Sequence, residues 1–215
     1  MFAASSLKTL ASNFSKLTQG FTYTSLIFSI SRGAKLDVSE AIQKRRSVRS
    51  YESTPVPAEK LRKVLEAARL APSAGNIQPW QFIVVINSEK RRMIAKGCRY
   101  GHFLAESPAI IVGCGDQKAS PRWHAIDTCI AMENLVLAAT GEGLGTCWIG
   151  LFNEKAIREM LKIPSHLKVV ALLALGYPRE KLDISAKVAH LIRPRKRLEK
   201  IAYLEEYGRR FPVCS

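Results

Sequence analysis

Four short runs in this chain of 215 residues carry residue types that could do chemistry. The first is Arg45-Arg46-Ser47-Val48-Arg49. In an extended segment, residues i, i+2 and i+4 project to one face. Arg45, Ser47 and Arg49 would then set two guanidiniums and a hydroxyl side by side, a group that suits a phosphate dianion. The second run is Pro72-Ser73-Ala74-Gly75-Asn76-Ile77-Gln78-Pro79-Trp80. Gly75 permits a sharp turn, and the amides of Asn76 and Gln78 can pair with a heteroaromatic edge. Pro79 should force Gln78 into an extended conformation. The third run is Gly143-Leu144-Gly145-Thr146-Cys147-Trp148-Ile149-Gly150. Its glycines let a backbone approach a planar ring and offer N–H groups to it. The basic run Arg193-Pro194-Arg195-Lys196-Arg197 closes the set.

A flavin mononucleotide asks a protein for all of these. Its phosphate wants guanidiniums or amides, and its pyrimidine edge wants donors, because negative charge develops there on reduction. Each run alone reads equally well as a basic turn, a helix–strand loop or a glycine-rich connection. The glycine run lacks the Lys-Ser/Thr ending of a phosphate-binding P-loop. It also follows a helix, so it is not a dinucleotide fingerprint. Cys147 reads as a buried strand thiol, with no histidine placed in sequence to activate it.

The elements that must position these runs follow from periodicity. Asp37 can cap a helix running to about Arg45. Pro57 to Leu70 has apolar residues at 61, 64, 65 and 68, a helical pattern. Gln81 to Ile86 reads as a strand. Ser88 to Lys96 reads as a short helix capped by Ser88. Ala109 to Cys114 is a fully apolar strand. Trp123 to Thr140 is a long helix, apolar around most of its second half, and so buried on all sides in a core or a subunit interface. Thr146 to Ile149 is a strand, Glu154 to Leu161 a helix, and Lys168 to Leu175 the last strand. The order predicts an α+β domain of three α/β/α layers with a central sheet.

Composition bounds the rest. The formal charge of +15 favours anionic partners. The basic residues are scattered, without zinc-finger spacing or aromatic RNA-binding motifs, so nucleic acid is not expected as a partner. No apolar run reaches the ~18 residues of a spanning helix, so no membrane is expected either. Five cysteines, none in C-x-x-C spacing, give no support for a metal site and point to reduced thiols in a cytoplasmic protein. The first 36 residues hold no acid and four basic residues among many Ser and Thr. Residues 1–35 therefore read as an extension, disordered or a targeting segment, ahead of a domain over 36–215. An organellar location follows if it acts as a transit peptide.

Taken together, the four runs resemble those of the nitroreductase superfamily of FMN-dependent NAD(P)H oxidoreductases, over about residues 36 to 202. The segment Leu173-Ala174-Leu175-Gly176-Tyr177-Pro178 resembles that family's last strand and turn. The resemblance implies an intertwined homodimer with a mixed sheet and two FMN sites at the subunit interface. It implies Arg45 and Ser47 on the phosphate and ribityl chain, and Arg49 near the pyrimidine edge. Asn76, and with it Gln78, would pair with the ring, with Pro72 and Ser73 supplied by the partner subunit. The amides of Gly150 and Leu151 would face the flavin N5, and Arg195 and Arg197 would return to the phosphate. No side chain is expected to act as a nucleophile, because the flavin carries the chemistry. The implied reaction is ping-pong transfer of hydride from NADH or NADPH to a small-molecule electron acceptor: a nitroaromatic, a quinone or a similar conjugated compound. A flavin-dependent reductive dehalogenase, a flavin-consuming enzyme and a non-catalytic flavin-binding protein are the alternatives on the same fold.

Overall fold

The computed structural model describes residues 37–179 and 194–212. The N-terminal extension, Arg193 and Cys214 lie outside the described residues. Helix α1 spans Val38–Lys44 with Asp37 as the cap the sequence predicts, and the Asp37 backbone N–H donates to Glu40 Oε2 at 3.4 Å. Helix α2 spans Ala58–Arg69. Its predicted stripe faces inward, with Val64 and Ala68 fully buried and Leu61 and Leu65 half-buried beside them. Strand β1 is Trp80–Val85 and helix α3 is Ser88–Lys96. The cap of α3 is Asn87, not Ser88: the Asn87 carboxamide oxygen accepts from the Lys90 N–H at 3.0 Å. Strand β2 is Ala109–Asp116, helix α4 His124–Gly141 and strand β3 Gly145–Ile149. Helix α5 spans Glu154–Leu161, and strand β4 spans Leu167–Gly176.

The four strands form one sheet in the order β1-β2-β4-β3, and each neighbouring pair is antiparallel. The parallel pairing among the described residues is a bridge from Ser47 to Thr146 along the outer side of β3. The sheet is mixed at that bridge. Its two edges are therefore β1 and the β3–Ser47 side, three strand spacings or roughly 14 Å apart.

Helices cover both faces, as a fully apolar central strand requires. Ile110, Val112 and Cys114 of β2 pack on one side with Ile94, Leu104 and Ile157. Ala109 and Ile111 pack on the other with Val64, Met132, Leu135 and Val136. Each such aliphatic residue contributes about 1.5–3 kcal/mol by leaving water. Gly113 and Gly115 of β2 face α4, where a Cβ would run into Met132 and the His124 carbonyl, so the helix sits close on the sheet.

Helix α4 is covered in part by its own chain. Ala131, Met132, Leu135, Val136 and Ala139 are buried along one side. On the other side Ile126 is 51% exposed and Ile130 38%, and Trp123 just before the helix is half exposed. The sequence shows apolar residues around the helix; the chain covers the sides turned to the sheet and to α2 and leaves Ile126 and Ile130 open.

Candidate functional site

The run Arg45–Arg49 leaves α1 and lies along β3. Val48 N–H donates to the Thr146 carbonyl at 2.8 Å, and the Tyr51 hydroxyl donates to the Val48 carbonyl at 2.6 Å. Tyr51 is fully buried. Burial pushes its phenol well above the usual range, nearby Cys147 adds to that, and the Arg49 charge opposes it. Gly145 makes this seating possible, because a Cβ there would meet Val48 Cγ2 at 2.6 Å. Two of the three glycines in the third run thus serve the fold itself: Gly145 by close packing and Gly143 by its φ of 74° in the turn before β3.

Gly150 is different. It is exposed, and nothing lies within 4 Å of where its Cβ would be. It borders a hollow of about 210 Å³ walled by Arg49, Tyr100, Phe103 and the run 147–151. Of these residues only Arg49 is formally charged. Arg45, on the same run, faces α4: its charge favours the ionised form of Glu133. Burial pushes the Glu133 carboxyl above its ordinary value, while Arg45 and a hydrogen bond from the Trp148 side chain hold it down.

The second run lies at the opposite edge of the sheet, just before β1. It opens with a single 3₁₀ turn, Ala74–Asn76, in which Gly75 has φ 58°. Asn76 and Gln78 both have φ 54°, in the left-handed region. The extended Gln78 expected from Pro79 is therefore not found. Its backbone N–H donates to Ser73 Oγ at 2.9 Å, and its side-chain amide donates to the Asn76 carbonyl and Oδ1, each at 3.2 Å. Closing the loop on itself outweighs the pre-proline preference. Asp127, buried at the start of α4, anchors the loop by accepting from the Ala74 N–H at 3.3 Å to each oxygen.

The structure thus brings Arg45, Ser47, Arg49, Gly150 and Leu151 together at the β3 edge. It places Pro72, Ser73, Asn76 and Gln78 in one loop at the β1 edge. Arg195 and Arg197 lie in the segment 194–212, whose backbone hydrogen bonds stay within it, as from Lys200 N–H to the Arg197 carbonyl at 3.1 Å. No described contact joins them to either edge. Sequence reasoning missed Tyr100, Phe103, Glu133 and Asp127. A signal existed for two of them, since a carboxylate inside an apolar helix needs a partner.

No group of three or more potential metal ligands occurs among the described residues, and none of their helices is long and apolar enough to cross a membrane. Cys98, Cys114 and Cys147 are buried and Cys129 is half-buried. The sequence profile of the Nitroreductase family matches residues 42–99 and 95–177. The chain belongs to the nitroreductase family. It is an oxidoreductase, in agreement with the family-level reading of its motifs. It is 40% identical, over 149 residues, to a protein of Archaeoglobus fulgidus that bears the name NADH dehydrogenase/NAD(P)H nitroreductase, covering 66% of this chain and 86% of that one. It is 28% identical to the FMN reductase (NAD(P)H) of Bacillus subtilis over 193 residues, 80% of this chain and 74% of the other. Among solved structures, an FMN-dependent nitroreductase from Clostridium difficile R20291 superposes with a TM-score of 0.67 at 31% identity. That match covers 78% of this chain and 98% of the other.

Proposed function

We propose that this nitroreductase-family chain binds one FMN per subunit at the β3 edge and uses NADH or NADPH to reduce nitroaromatic, quinone or similar conjugated acceptors. The observation that carries this is the hollow beside Gly150. It has a guanidinium in its wall and an exposed backbone with open space where a side chain would begin. Those features fit a planar ring with an anion-developing edge. The names of the relatives from B. subtilis and C. difficile support the choice of FMN.

When bound, FMN supplies hydride acceptance and donation, so donor and acceptor take turns at one exposed face and no side-chain nucleophile is needed. The residues of this chain bind and orient. Arg49 supplies positive charge in the wall of the hollow, where a developing negative charge is stabilised. Ser47 and Arg45, seated by the Val48 and Tyr51 hydrogen bonds, meet the phosphate and ribityl portions. Gly150 and Leu151 present backbone without a bulky obstruction at Gly150. Arg195 and Arg197 add cations for the phosphate.

The hollow is smaller than the roughly 300–1,000 Å³ of a complete small-molecule site. The loop of Pro72, Ser73, Asn76 and Gln78 is one sheet-width away. A second copy brings that loop to the hollow, and the open apolar side of α4 is the surface through which two copies meet. On this reading Asn76 comes from the partner along with Pro72 and Ser73.

The test has two parts. Mass analysis of cofactor released from purified protein should show FMN, and anaerobic NADH or NADPH should bleach the flavin with repeated turnover on an acceptor. FAD, or no flavin after reconstitution, refutes the assignment. A monodisperse monomer that retains FMN in sedimentation refutes the shared site.

A further inference from the structure

We propose that Arg99 and Tyr100 form a recognition edge at the mouth of the hollow, selecting aromatic acceptors that carry a carboxylate or similar anionic group. The inference rests on the reading of the hollow as the place of turnover. The main chain fixes both residues beside Gly150. Arg99 N–H donates to the Leu151 carbonyl at 3.3 Å, Asn153 N–H donates to the Gly97 carbonyl at 2.9 Å, and Cys98 bridges Phe152 between them. The segment before Tyr100 is thus paired antiparallel with the segment after β3.

Tyr100 and Leu151 both wall the hollow while remaining 66% and 60% exposed. A single exposed aromatic is ordinary on a protein surface. Here the ring is held by backbone pairing at the rim of a concave site, and the Arg99 guanidinium lies 5.5 Å from its centroid. One cation, Arg99, lies against the Tyr100 ring, and another, Arg49, stands in the wall of the hollow. No carboxylate walls the hollow. A planar aromatic ligand is matched by Tyr100 and Leu151, and an anionic substituent on it is matched by a guanidinium, the cation best shaped for a carboxylate. The net charge of +15 draws such anions toward the protein.

Purified protein is titrated with 4-nitrobenzoate and with 4-nitrobenzyl alcohol, which share a ring and differ in charge. Binding is read by tryptophan fluorescence, since Trp148 lies in the wall. Wild type should prefer the benzoate, and the preference should shrink as salt rises above ~0.15 M. Arg99→Gln should lower the benzoate-to-alcohol affinity ratio roughly two- to fivefold. Arg99→Lys should restore part of it. Tyr100→Leu should weaken both ligands, and Tyr100→Phe neither. A wild-type ratio near one, or a ratio untouched by Arg99→Gln, overturns the proposal. Loss of FMN in Arg99→Gln with an unchanged ratio also overturns it, by placing Arg99 on the phosphate, and leaves the flavin reading intact. Selective binding without NAD(P)H-driven turnover supports the recognition edge and sinks the reductase reading.

Discussion

Replacing Gly145 with alanine perturbs the site without touching any residue proposed to meet the cofactor. A Cβ there would lie 2.6 Å from Val48 Cγ2, 2.8 Å from its Cβ and 3.0 Å from its Cγ1. Carbon atoms pack best about 3.5–4.0 Å apart, so Val48 must retreat by roughly 1 Å. Rotating χ1 moves the two methyls but leaves the Cβ where it is. The backbone of Val48 must therefore move, and it is bonded on both sides, to the Thr146 carbonyl at 2.8 Å and from the Tyr51 hydroxyl at 2.6 Å. Overpacking of this kind costs about 1–3 kcal/mol. Loosening a backbone hydrogen bond adds roughly 0.5–1.5 kcal/mol. The expected loss is about 2–4 kcal/mol, or a Tm lower by roughly 5–15 °C for a domain of this size. Ser47 and Arg49 flank Val48, so FMN affinity should fall about tenfold or more, because misplacement by ~1 Å is enough to cost that much. Adding Val48→Ala removes both methyls and should recover part of the loss as a positive coupling in the double-mutant cycle. Urea unfolding at fixed protein concentration and flavin fluorescence titration are the assays. Gly145→Ala with wild-type FMN affinity and a stability change under about 0.5 kcal/mol would refute the seating argument.

Three further outcomes are expected. Arg49→Gln should lower the midpoint potential of the bound flavin by roughly 20–45 mV, from about 1–2 kcal/mol of lost charge stabilisation, whereas Arg195→Gln should weaken FMN binding with little change in potential. Redox titration of both decides it, and equal shifts would mean Arg49 sits at the wrong end of the cofactor. Burial raises the Cys98 and Cys114 thiols from 9.0 to about 11, so between those values the unfolded chain releases protons that the folded chain keeps. Stability should thus hold below about pH 9 and fall as pH rises through 11, with a shallower fall when both are alanine, read from urea midpoints across pH 8–11. Lys162 closes α5 at φ 55° and ψ 41°, so Lys162→Gly should raise stability by about 1 kcal/mol and leave FMN affinity alone, as thermal unfolding and flavin titration will show.

Elements with a clear period were legible in the sequence. The apolar positions 61, 64, 65 and 68 map onto the inner side of α2, and the unbroken apolar run of β2 is covered on both faces. The residue types of Arg45, Ser47 and Arg49 were legible too, but their seating was not. It depends on Gly145 and Val48 meeting across a large sequence separation, a relation that no local pattern encodes. Gln78 defied its local rule because Ser73 and Asp127 bind the loop from outside the dipeptide that the rule considers. Tyr100 and Phe103 went unnoticed because the stretch from Gly97 to Leu104 has no strand period. Only its pairing with residues 151–153 brings it to the hollow. For α4, the sequence counted apolar residues but could not say how much of the helix one chain covers.

The placement of the two candidate runs at opposite edges of the sheet has a genetic consequence. A chain damaged at the β3 edge, as by Arg49→Ala, keeps a sound loop at the β1 edge, and Asn76→Ala does the reverse. If the site is shared, each of these lesions spoils both sites in its own dimer. In a mixed dimer one site inherits both lesions and the other neither. Random pairing of equal amounts makes half of the dimers mixed, so roughly a quarter of all sites are whole. Two inactive alleles in one cell would then yield a working enzyme, and the same allele pair cannot complement if each chain builds its site alone.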